Sequence, residues 1–221
     1  MQPVLRVLPR FTTSHKFFIE KDTTSLRCVE LRFWPQKTWK KILLVLILVL
    51  IAVFVAFAAF AGLLLTGAIS REVVSEIDII NADGDKTALV VYQPGFSSFP
   101  TDISYAFADG LASSGWRVEI TTASPQAPSD FSKYSLLTLA YPVYGGTPGT
   151  AIVNYVNRVS SLDGIDTVII ACGGGDSGES VNPLKQQVQA ANGTFYDALA
   201  LSNQDSSAME SARQAGSNIT P

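Results

Sequence analysis

Hydrophobic positions fall into three regimes along the chain. From residue 42 to 68 no side chain is charged, and nearly all are Leu, Val, Ile, Ala or Phe. Such a run exceeds the ~20 residues needed to cross a ~30 Å hydrocarbon layer. Before it, residues 1–41 show no sustained period. After it, from residue 87, short apolar runs alternate with segments of helical spacing. The runs 88–92 (ALVVY), 135–140 (SLLTLA) and 167–172 (TVIIAC) predict strands covered on both faces. Residues 117–122 (RVEITT) alternate polar and apolar, which predicts a strand with one solvated face, and 194–201 reads as a last strand. Helical spacing appears in Ile103, Phe107 and Leu111, in Ile152, Tyr155, Val156 and Val159, and in Leu184, Val188 and Ala191, with a short final helix over 207–215. Thr147-Pro148 and Asn182-Pro183 read as helix caps followed by proline, and Asn192-Gly193 as a helix stop. The stretch 123–130 (ASPQAPSD) has two prolines, so the helix between the second and third strands is absent or very short.

Strands separated by helices need right-handed crossovers, which give a parallel sheet with helices on both faces. Continuous apolar strands belong at its centre and alternating ones at its edges. The expected fold is therefore α/β, a doubly wound five-stranded parallel sheet of order 2-1-3-4-5, preceded by one N-terminal transmembrane helix. The expected organisation is a basic tail (1–41), a transmembrane helix (42–68), a linker (69–86) with a turn at Asp83-Gly84-Asp85, the α/β domain (87–215) and a C-terminal tail (216–221).

Charge sharpens this division. Residues 1–41 hold nine Lys/Arg against three Asp/Glu, and the rest seven against sixteen, for a net −3. Arg27, Arg32, Lys37, Lys40 and Lys41 precede the apolar run closely, whereas only Arg71 and Lys86 follow it closely. That bias places the N-terminus in the cytoplasm and the body outside, with Trp34 and Trp39 near the inner interface. The alternative is a cleaved signal, for which Thr66-Gly67-Ala68 could serve as the cleavage site. The sequons at Asn192 and Asn218 are compatible with an outside body. Cys28 and Cys172 would then lie on opposite sides and could not pair, and they make no zinc spacing, so no metal is expected. An acidic body argues against nucleic acid. The sole histidine is His15, so Gly175-Asp176-Ser177-Gly178, which matches the trypsin-like nucleophile sequence, has no base in the body.

In a sheet of this order, ligands bind beyond the carboxyl ends of the strands at the switch point. Three loops meet there: 93–100, 141–146 and 173–179. Glycines let backbone N–H groups approach a ligand, a tyrosine offers a flat face with a polar tip, and a helix start adds partial positive charge. Together they suit a planar, electron-rich ring with a polar edge. The stretch 129–146 (SDFSKYSLLTLAYPVYGG) resembles the flavodoxin family around its third strand. Asp130, Tyr134, Leu136, Leu137, Pro142, Val143, Tyr144, Gly145 and Gly146 carry the match, which extends more weakly over 87–215.

The resemblance implies a flavodoxin-like fold with FMN as cofactor. It places Tyr144 against the isoalloxazine, Gly145 and Gly146 toward its edge, and Pro142 in the same loop. Gly173, Gly174 and Gly175 would form the second ring-contacting loop, and Ser97, Ser98 and Thr101 would supply hydroxyls to the phosphate. Phe96, Phe99 and Tyr141 depart from the family pattern, and the loop after the first strand is slightly longer than usual. The expected function is a membrane-anchored FMN electron-transfer protein, with the lipid bilayer and a redox protein as partners. The alternatives are an FMN-dependent NAD(P)H or quinone-type reductase and a cofactor-free binding module. The full chain should stay in the membrane pellet after alkaline extraction, whereas a chain beginning at residue 69 should be released; release of the full chain would contradict the membrane helix.

Overall fold

The computed structural model describes residues 36–69, 72–175 and 177–221. The tail through residue 35, with His15, Cys28 and Trp34, lies outside the described residues, as do Ser70, Arg71 and Asp176. Helix α1 (Gln36–Ile69) starts six residues before the apolar run predicts. Its stretch Thr38–Gly62 is long and apolar enough to cross a membrane, and none of that stretch is buried. The described residues divide into two units within this helix, the first ending at Val53 and the second beginning at Phe54.

The second unit contains β1 (Asp78–Ile80), β2 (Lys86–Tyr92), α2 (Phe99–Ser113), β3 (Trp116–Thr122), β4 (Tyr134–Tyr144), β5 (Thr147–Pro148), α3 (Thr150–Arg158), β6 (Asp166–Gly173), α4 (Val181–Ala190), β7 (Thr194–Ser202) and α5 (Ala208–Ser217). The sheet runs β1-β3-β2-β4-β6-β7, with β5 on the end of β4. Its five parallel strands, β3-β2-β4-β6-β7, stand in the expected 2-1-3-4-5 order.

Alternate residues of the central strands feed two cores. Leu89, Val91, Leu137 and Leu139 meet Ile152, Tyr155, Leu184 and Val188 of α3 and α4. Ala88, Val90, Val168 and Ile170 meet Ile103, Phe107, Leu111 and Ala212 of α2 and α5. On that second side α2 and α5 cross at backbone contact. A Cβ on Gly110 would lie 2.1 Å from the Arg213 carbonyl, and one on Gly216 would lie 2.3 Å from that of Phe107.

Three local expectations are corrected. First, β3 is neither an edge nor solvated on one face. Glu119, Thr121 and Thr122 are all buried. No helix follows β3; instead loop 123–133 folds over that face, sending Ala123, Ala127 and Phe131 into the core. The apposed polar face is satisfied internally. Lys133 Nζ and Tyr134 Oη donate to Glu119 Oε2 at 2.9 and 2.6 Å, and Arg117 stands 3.5 Å from its carboxylate. Second, the segment read as a linker is tied down from Glu72 onward. Arg158 donates to Glu72 at 2.6 Å, the Ser75 N–H donates to Thr122 Oγ1 at 3.1 Å, and β1 pairs antiparallel with β3. Third, neither proline-bearing cap stands where expected. Thr147-Pro148 forms β5 and α3 begins at Thr150, while Asn182-Pro183 lies inside α4, after a 3-10 turn at Gly178–Ser180.

Burial alone would raise the Glu119 carboxyl. Hydrogen bonds from Tyr134 and Lys133, with the charges of Lys133 and Arg117, outweigh burial and hold it below the ordinary value. Its contribution is therefore present above the usual Glu value of about 4.3 and lost as the pH falls through the lower folded value. Glu119→Ala should cost roughly 1–3 kcal/mol at neutral pH, because the Tyr134 hydroxyl loses its acceptor. Urea melts should show that this cost shrinks in acid; a cost independent of pH would contradict the assignment.

Candidate functional site

The site is built around the projecting end of β4. Pairing of β4 with β2 stops at Ala140, whereas pairing with β6 continues to Pro142 opposite Cys172. No β2 residue lies opposite Pro142, so a residue without an N–H interrupts no ladder on that side. Beyond it, Val143 and Tyr144 pair with Pro148 and Thr147 in a hairpin. Its two turn residues, Gly145 (φ +58°) and Gly146 (φ +78°), are both left-handed, as a two-residue primed turn requires. Helix α3 then starts behind Gly149. Its Ile152 N–H donates to Oε1 of the buried Gln93 at 3.1 Å, and a Cβ on Gly149 would lie 2.3 Å from that oxygen.

Beyond the carboxyl ends of β2, β4 and β6 lies a cleft of about 210 Å³. Pro142, Val143 and Tyr144 line it from β4, Cys172 and Gly173 from β6, and Gly174 from the loop after β6. Gly95, Phe96, Ser97, Phe99 and Pro100 line it from the loop after β2 and the start of α2, and Asn203 closes it from the loop after β7. Of the residues expected at a cofactor, the structure thus gathers Ser97, Pro142, Tyr144, Gly173 and Gly174. Ser98, Thr101, Gly145, Gly146 and Gly175 do not line it. The first two begin α2, the glycine pair forms the hairpin turn, and Gly175 follows the rim. Gly95 and Val143 lie in loops expected at the ligand end but carried no assigned role, whereas no local pattern marks Asn203. Asn203 reaches the cleft because its N–H donates to the Gly173 carbonyl at 2.9 Å, and Gln204 Nε2 pins the Gly174 carbonyl at 2.7 Å.

Among the described residues no Lys or Arg lines the cleft, so an anion there would rely on backbone donors, hydroxyls and the helix end. Ser98 occupies the N-cap of α2 with its hydroxyl unused in capping. Burial pushes the Cys172 thiol up to about 12, so the cleft floor is a protonated, unreactive sulfur at neutral pH. Tyr141 points away from the cleft. It is fully buried in the α3/α4 core and donates to the Ser180 carbonyl at 3.1 Å. Phe99 is half-buried against the α2/α5 core. Phe96 is 62% exposed, its ring and that of Tyr144 meet at 61° with centroids 5.3 Å apart, and its N–H donates to Tyr144 Oη at 3.1 Å.

Among solved structures, an archaeal flavodoxin superposes with a TM-score of 0.52 at 14% identity, over 60% of this chain and 95% of that one. Two-electron reduced flavodoxin from Megasphaera elsdenii gives 0.51 at 15% identity, over 60% of this chain and 99% of that one. A flavodiiron core from Synechocystis gives 0.51 at 16% identity, over 62% of this chain and 36% of that one. The fold is flavodoxin-like. Neither a protein-family model nor a curated protein sequence matches the chain. The flavodoxin-like body also carries two antiparallel strands, β1 and β5, around its five parallel ones.

Left-handed backbone costs a side-chain-bearing residue about 1–2 kcal/mol. Gly146→Val should therefore destabilise the body by at least that amount in urea unfolding, whereas Gly145→Asn should cost much less. Equal effects of the two substitutions would contradict the primed turn.

Proposed function

We propose that this chain is a membrane-anchored, FMN-binding electron-transfer protein. The observation that carries the reading is the meeting, at one cleft, of a phenol ring, two glycines of β6 and its loop, and the start of α2, whose N-cap hydroxyl makes no capping bond. The donor set suits a flat heterocycle with an anionic tail. Ser97, Ser98 and Thr101, with the start of α2, would hold the phosphate. Tyr144 would lie against the ring, and Gly173 and Gly174 would present backbone to its edge. Pro142 and the Gly145-Gly146 turn fix where Tyr144 stands, and Gly175 continues the glycine loop. Bound FMN would supply reversible electron transfer, and the protein would set its environment. The acidic body would favour encounter with a basic redox partner, and α1 would keep that encounter at the bilayer surface.

One observation favours a second reading. The cleft, about 210 Å³, is smaller than the ~300–1,000 Å³ typical of small-molecule pockets. A cofactor-free module that uses the cleft's rim to bind a protein or glycan would need no more room. Thermal unfolding of the full chain in detergent, with and without FMN, separates the two. At FMN concentrations about 100 times the dissociation constant, binding adds roughly 2.7 kcal/mol and raises the midpoint by several degrees. No shift up to millimolar FMN, with no change in the flavin spectrum, would remove the electron-transfer reading and leave the binding module.

A further inference from the structure

We infer that Phe96 is a displaceable plug over the face of Tyr144, so that this one side chain sets how tightly a flat ring can enter the cleft. The inference rests on the FMN reading and adds to it a residue from the loop after β2, which the hydroxyls of Ser97 and Ser98 had defined only as a phosphate site.

Three aromatic side chains stand where a ring could be obstructed, and the structure separates them. Tyr141 is fully buried on the far side of the sheet. Phe99 is held in the first turn of α2 against the core. Phe96 alone is mostly exposed, at 62%, while lining the cleft. Among the described residues its ring contact and its backbone hydrogen bond both go to Tyr144. A large, mostly exposed apolar side chain that rests against the residue that would face the ligand is a contact that a better-stacking ring can replace.

Gly95 makes this arrangement possible. A Cβ there would lie 3.0 Å from Pro100 Cγ and 3.3 Å from the Tyr144 hydroxyl, so a larger residue would push the loop off the tyrosine. The small volume of the cleft has the same origin, since Phe96 and Tyr144 both line it and lean on each other across it. When only a fraction of molecules has the plug withdrawn, apparent affinity falls by that fraction. Loss of an aromatic pair alone corresponds to roughly a 2- to 12-fold effect.

The plug acts on the ring and not on the phosphate. Its effect should therefore be the same for FMN and for riboflavin, which lacks the phosphate, whereas removal of the Ser97 and Ser98 hydroxyls should weaken FMN alone. The test is fluorescence-quenching titration of both flavins into the full chain in detergent, for wild type, Phe96→Ala and Phe96→Leu. Their thermal midpoints without flavin serve as the check on folding. The expected result is that Phe96→Ala binds both flavins tighter by a common factor of roughly 2–12, with Phe96→Leu between it and wild type. If wild type binds FMN but Phe96→Ala binds it equally or more weakly, Phe96 supports the ring and the plug is overturned while the FMN reading stands. If tightening is seen for FMN and not for riboflavin, the effect lies at the phosphate end and the plug is likewise overturned. If none of the three proteins takes up either flavin, the FMN reading fails and the plug fails with it.

Discussion

The end of β4 is the constraint on which the site depends. It is the longest strand of the sheet and lies in its middle, between β2 and β6. Because β2 stops pairing at Ala140, Tyr141 and Pro142 are free of the sheet on one side while β6 still holds them on the other. Proline is tolerated there, and two left-handed glycines then reverse the chain onto β5. This short hairpin fixes Tyr144 at the rim. The cleft exists because the two cores, one on each face, make the central strands rigid up to the residues that line it.

The electrostatics of the body follow the same division between a covered sheet and an open rim. The buried carboxylate of Glu119 sits midway along β3 and is answered by Tyr134, Lys133 and Arg117. It holds a loop where related geometry would place a helix, and it has no part in the cleft. At the rim the start of α2 offers the partial positive end of a helix and the uncapping Ser98 hydroxyl, and its first turn carries the exposed Asp102 but no cationic side chain. An anion bound there would be held by oriented dipoles more than by charge, which favours a ligand that also offers a ring for Tyr144.

Much of the fold was legible because burial leaves a direct mark on sequence. The runs ALVVY, SLLTLA and TVIIAC became β2, β4 and β6, and their continuity placed them at the centre. The elements that escaped notice are short or satisfied at a distance. Asp78–Ile80 is a three-residue edge strand with Ile79 exposed, so it carries no alternating pattern. Thr147-Pro148 has the composition of a helix start, and only the Gly145-Gly146 turn beside it decides for a strand. Glu119 looked solvated because its partners, Lys133 and Tyr134, come from the far end of a loop. Of the residues that line the cleft, Tyr144 and the glycines were marked by loop chemistry and Pro142 and Ser97 by the family resemblance, whereas Asn203 enters through a backbone bond that no spacing records.

The central claim is that the β4 hairpin and the glycines of β6 and its loop make a slot used by a flavin. The most direct measurement is the visible absorption of the full chain as purified in detergent, followed by identification of whatever small molecule heat denaturation releases. The account predicts the two visible bands of an oxidised flavin, bleached by dithionite, and release of FMN in up to one equivalent. A colourless protein that releases no flavin, and stays colourless after incubation with FMN and removal of the excess, would contradict it.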